Sequence, residues 1–196
     1  MALDDPDLPM KGLVPPPEDR GEMMTLTIRH ERPEYEYSFM LPDGWYQQPD
    51  PPGRPDVAYE SEFIPLGVFT PTPDYMPPVV FSVAVRPAPK TGTVAEWLEW
   101  QCQTQGLALQ RMTIHDFLFG PGVDAVALEE SEVGPLKMRL TMFEDGGRLF
   151  LLMGMAPLSM WDTVVATLGL AIVSFELLAP EGRTAALLPV PPEAQS

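Results

Sequence analysis

Apolar and polar residues alternate with a period of two along most of this chain, the spacing of strands that bury one face. Leu26 and Ile28 alternate with Thr25, Thr27 and Arg29, and Tyr35, Tyr37, Phe39 and Leu41 alternate with Glu34, Glu36 and Ser38. Runs rich in β-formers predict further strands at Val79 to Val85, Met112 to Phe119 and Val123 to Leu128. Leu136, Met138, Leu140 and Met142 then alternate with Lys137, Arg139 and Thr141. The run from Arg148 to Met155 is apolar on both faces, as in a strand at the middle of a covered sheet. Glu132-Val133-Gly134-Pro135 and Glu144-Asp145-Gly146-Gly147 are short enough to make antiparallel neighbours of the strands they join, with glycines for the positive φ of tight hairpins.

Two segments change period. Thr93 stands three residues before Glu96, a capping-box spacing, and Val94, Trp97, Leu98 and Gln101 share one helical face until Gly106. After Ser159, the residues Trp161, Val164, Val165, Leu168 and Ile172 recur at helical spacing in a segment apolar nearly all round, which predicts a buried or covered helix.

Proline marks the boundaries. Residues 1–22 and 180–196 combine prolines with acids or small residues and are expected to be flexible tails. One domain is expected over 23–179, interrupted by a proline-rich excursion at 42–78 that holds ten prolines together with Tyr59, Phe63, Ile64, Leu66, Val68, Phe69 and Tyr75. Within it, Val57, Tyr59, Ser61 and Phe63 have the alternation of an edge strand.

Composition narrows the function. The chain has 196 residues, room for one domain of ordinary size. Acids outnumber bases 28 to 12, and the net charge of −16 repels nucleic acid and anionic lipid alike. The longest apolar stretch, Leu149 to Leu158, is broken by Gly154 and Pro157 and is too short to span a bilayer, so no membrane insertion is expected. The single Cys102 needs no oxidising compartment, and the acidic, proline-rich start lacks a signal peptide, so the cytoplasm is the expected location.

Catalytic chemistry is sparse. HExxH, CxxC, P-loop, GxSxG and GxGxxG patterns are absent, and no cofactor, metal or catalytic residue is assigned. His115 and Asp116 are neighbours on an expected strand and point to opposite faces, so they do not form a direct pair. Glu129, Glu130 and Glu132 read as a solvated turn, since a calcium loop would space its ligands and bend at a glycine. The 12 methionines stand out: Met138 and Met142 share one strand face, and Met153 and Met155 share one face of the next. Such flexible, polarizable side chains suit a surface that accepts varied apolar partners.

A strand ending in Leu41-Pro42-Asp43-Gly44-Trp45, a strand leading into the Thr93 to Glu96 helix start, an antiparallel meander and a last helix running into Ser174-Phe175 together resemble the PsbP-like fold over about residues 24–178. That family includes the PsbP subunit of photosystem II, a Ran-GTPase release factor, DcrB-type lipoproteins and the Eag-type chaperones of type VI secretion. The resemblance implies an α+β domain, a mainly antiparallel sheet of about six or seven strands sandwiched by helices. It also implies a non-catalytic adaptor or chaperone, able to homodimerise, that holds an apolar helical segment of a secreted effector. The expected partner-binding residues are Met138, Leu140, Met142, Leu151, Met153 and Met155, with Phe63 and Phe69 as a wall. Two alternatives stay open: an acidic regulator of a small GTPase, and a small-molecule binding protein with a pocket beneath the excursion.

Overall fold

The computed structural model describes residues 27–49, 63–71, 79–132 and 134–178. The two tails, and Val57, Tyr59 and Ser61 of the suspected edge strand, lie outside the described residues.

Among the described residues, ten strands and two α-helices follow in the order β1 (Thr27–Arg32), β2 (Tyr37–Pro42), β3 (Tyr46–Gln47), β4 (Ile64–Thr70), β5 (Val80–Pro87), α1 (Val94–Thr104), β6 (Ala108–Phe117), β7 (Gly120–Ser131), β8 (Gly134–Asp145), β9 (Arg148–Pro157), α2 (Trp161–Val173) and β10 (Glu176–Leu177). Seven of the strands form one antiparallel sheet in the order β3-β4-β5-β9-β8-β7-β6. β9, apolar on both faces, lies inside this sheet between β5 and β8. The meander from β6 to β9 pairs each strand with the next, as its short connections require.

The other three strands make a separate small sheet, β1-β2-β10. The large sheet is the expected antiparallel sheet of an α+β domain, with α1 on one face and α2 on the other; the small sheet, which shares the second face with α2, is what the expectation lacks. Glu36, the turn residue before β2, holds a left-handed φ of 60° without being glycine. Its carboxylate accepts a hydrogen bond from Arg148 at 3.2 Å, and Arg148 also reaches Asp145 at 3.0 Å, tying the β1–β2 turn to the β8–β9 hairpin.

A correction concerns the proline-rich excursion. Its residues Ile64 to Thr70 are a full strand, β4, paired to β5 with a bulge between Pro65 and Gly67. Gly67 is required by close packing, since a Cβ there would come 2.8 Å from the Tyr37 hydroxyl. Gly154 plays the same part in β9, where a Cβ would lie 2.9 Å from Leu168 Cβ, so α2 settles directly on the sheet.

Candidate protein-binding surface

Residues opposite one another in adjacent antiparallel strands share a face. Met138 pairs with Met155, Leu140 with Met153, and Met142 with Leu151, so all six lie on one face, the one that carries α1. The expected methionine-lined face exists as a geometric fact. Its cover varies along its width. Met138, Leu140, Met142 and Leu151 are buried, in a core with Leu98 and Cys102 of α1 and Val123, Ala125 and Ala127 of β7. Met153 and Met155 are only half-buried.

The two aromatic wall residues separate. Phe69 is fully buried on the opposite face, edge-on to Phe39 at 4.8 Å. Phe63 stays on the α1 side, where the Arg86 guanidinium lies between it and Trp97, 5.8 Å and 5.5 Å from the two ring centres. Phe69 therefore belongs to the structural core.

α1 begins where the sequence places it. The Thr93 backbone N–H donates to Glu96 Oε2 at 2.7 Å, and the Glu96 N–H donates back to Thr93 Oγ1 at 3.3 Å. The bond from the Thr93 backbone N–H, together with one from the Thr93 hydroxyl to Glu96 Oε2 at 3.0 Å, holds the Glu96 carboxyl below the usual glutamate range. The helix lies mainly over β6, β7 and β8. Of its side chains only Leu98 and Cys102 are fully buried, and Trp100 remains 40% exposed. Burial, and secondarily the Glu99 carboxylate, push the Cys102 thiol up, so it packs as a small apolar group rather than a nucleophile.

Beside α1 the same face continues over β4, β5 and β9, with Val80 and Arg86 buried at the two ends of β5 and partly exposed residues between them. By register, Val68 stands opposite Ser82 and Ser82 opposite Met153, while Ala84 stands opposite Leu151. Val68, Ser82, Ala84, Met153 and Met155 are all half-buried. Small residues, Ser82 and Ala84, flank Met153 on this strip. Sequence reasoning missed Val68, Ser82 and Ala84, because which residues flank Met153 depends on a strand order that local patterns do not contain.

The remaining candidates resolve plainly. His115 and Asp116 point to opposite faces of β6, opposite Gly122 and Pro121 of β7. Glu130 and Glu132 are exposed at the β7–β8 hairpin. Among the described residues no three His, Cys, Asp or Glu side chains gather as metal ligands would. No described helix is long and apolar enough to cross a membrane. A cleft of about 160 Å³ opens between the small sheet and the β6–β7 turn, lined by Arg29, Ser38, Met40, Leu118 and Ser174. It falls well below the ~300 Å³ at which ligand pockets begin. Arg29 within it is already engaged by Ser38 at 2.8 Å and Glu176 at 2.7 Å.

No family model and no curated protein matches the chain. Solved structures do. The cyanobacterial PsbP (CyanoP) of Synechocystis sp. PCC 6803 is similar with a TM-score of 0.55 at 15% identity, over 78% of this chain and 92% of that one. LpqN of Mycobacterium tuberculosis, described as involved in cell envelope biogenesis, is similar with a TM-score of 0.50 at 9% identity, over 78% and 91%. Neither is described as a secretion chaperone. At such identities the likeness is one of architecture, and the architecture of this chain is the PsbP-like fold.

Proposed function

We propose that this chain is a non-catalytic adaptor or chaperone that holds an apolar helical segment of another protein against the strip beside α1, in the cytoplasm, before that protein is secreted. The observation that carries this reading is the half-buried Met153 and Met155, which extend the methionine and leucine face of β8 and β9 past the edge of α1. α1 supports this reading as a precedent within the chain: it is an amphipathic helix seated by a few apolar side chains on methionine, leucine and alanine. A second helix laid beside it would cover the strip and bury apolar surface worth about 25 cal/mol per Å². Methionine, unbranched and polarizable, adapts to different side chains of such a partner.

Affinity capture of the intact protein from its native host, with mass spectrometry, tests this. The expected result is recovery of a protein with an apolar helical segment, at a yield that changes little with salt because apolar contacts are not screened. A Met153→Glu/Met155→Glu variant with an unchanged melting temperature should lose that partner. Recovery of a small GTPase, released by moderate salt and indifferent to the two substitutions, would refute the reading in favour of acidic recognition.

A further inference from the structure

The four edges of the two sheets are unequal. β3 and β10 present two residues each. β1 presents six, of which Arg32 is buried and Thr27 and His30 are half-buried. β6 presents ten residues, and every one from Gln110 to Asp116 is exposed. Ile114 is 70% exposed and Met112 36%, on the face shared with α1. No described strand pairs with the outer side of β6.

We infer that this edge is the docking site for a second copy of the chain, with β6 pairing antiparallel to its own counterpart about a two-fold axis at Thr113. The sequence of the strand supplies the argument. Reading outward from Thr113 within the regular register, polarity is the same in both directions: Met112 and Ile114 are apolar, Arg111 and His115 polar. An antiparallel pairing centred on Thr113 sets Met112 of each copy against Ile114 of the other and Thr113 against Thr113, favourable cross-strand pairs. Moving the centre one residue to Ile114 would set Met112 against Asp116, and moving it to Met112 would set Ile114 against Gln110. Arg111 and Asp116 balance the strand's charge, so the edge escapes the −16 of the whole chain. The register is regular from Arg111 to Phe117, because the bulge falls between Leu109 and Arg111. The result is one sheet running continuously through both copies, with Met153 and Met155 of each copy away from the shared edge.

Thr113→Cys tests the register in the full-length protein. Directly opposed Cα atoms lie ~4.5–5.5 Å apart, within disulfide reach. Mild oxidation should convert this variant largely to a covalent dimer. Arg111→Cys alone should not crosslink, while Arg111→Cys/His115→Cys should. Light scattering of the unmodified chain should give twice the chain mass, and Ile114→Lys, at an exposed position, should halve it with the melting curve of the protein intact. A chain that is monomeric over a wide concentration range, or a dimer that ignores Ile114→Lys and crosslinks equally at 111 and 113, would overturn the proposal. The helix-binding reading stands or falls separately, on Met153 and Met155.

Discussion

The two faces of the large sheet are built from different materials. Against the small sheet and α2 the core is aromatic: Tyr37, Phe39, Phe69, Phe81, Phe143, Phe150 and Phe175 are all fully buried. The Phe143 and Phe150 rings lie 5.1 Å apart and nearly parallel, and Phe119 stacks on Phe143 at 3.9 Å. Against α1 the buried side chains are Met138, Leu140, Met142, Leu149 and Leu151, with alanine and valine from β7. Aromatic rings have few rotamers and directional contacts, so they fix one arrangement. Methionine and leucine fill space without demanding one geometry, and here a single helix with two fully buried side chains covers them. The two faces therefore differ in how specifically their buried side chains dictate one arrangement.

That contrast is sharpest in adjacent residues. Phe143→Leu, which removes a ring stacked on Phe119 and Phe150, should cost more than about 1.5 kcal/mol, because leucine does not refill the flat site between two rings. Its neighbour Met142, equally buried but on the α1 face, should tolerate Met142→Leu at a cost below about 1.5 kcal/mol. Urea denaturation of both variants compares them directly. Equal losses would mean that the α1 face is packed as specifically as the aromatic one, and the difference between the faces would disappear.

The aromatic side also holds a buried polar network. On the α2 side, Asp124 is buried and accepts hydrogen bonds from Arg139 Nε at 2.9 Å and from the Thr141 hydroxyl at 2.8 Å. Asp124→Ala leaves the Arg139 charge without this carboxylate and the Thr141 hydroxyl without its acceptor. About 3 kcal/mol should be lost, near the lower end for breaking a buried pair because Arg139 still reaches solvent. Asp124→Asn keeps an acceptor and should recover part of it. A melting temperature unmoved by Asp124→Ala would show that the network adds nothing to the rigid side.

Much of this was readable in advance, for physical reasons that can be traced to particular residues. The meander from β6 to β9 announces itself because two-residue periodicity and glycine turns are local signals, and the pairing is between sequence neighbours. The Thr93 cap is local too. β4 was hidden because Pro65 and Gly67 look like chain breakers, while in the fold one sits at a bulge and the other makes room for Tyr37. The split into two sheets was hidden because β10 pairs with β2 across most of the chain, Leu177 opposite Tyr37. The methionine face was legible from alternation, but the extent of its cover by α1 was not. Ile114 and Met112 look like core residues in one dimension, and only the strand order leaves them on an open edge.

The smallest expected effects concern how firmly α1 closes its face. Removing the cap with Thr93→Ala should cost about 1 kcal/mol of helix stability. Because few side chains anchor α1, hydrogen exchange should speed up in its amides before those of β8 and β9. Acid should act on the same device. Glu96 is held below the ordinary glutamate range by its hydrogen bonds to Thr93, so as pH falls the unfolded chain takes up this proton first. Its contribution is complete above the unfolded value and is lost as pH falls through the lower folded one. Amide exchange in α1 should therefore accelerate in that acidic window relative to the sheet. Glu96→Gln, which can still accept from Thr93 but carries no charge, should show slightly weaker protection at neutral pH and no such acid step. If α1 and the aromatic face lost protection together at every pH, the helix would be part of one cooperative unit with the rest, and a partner could not gain access to the covered methionines by loosening it.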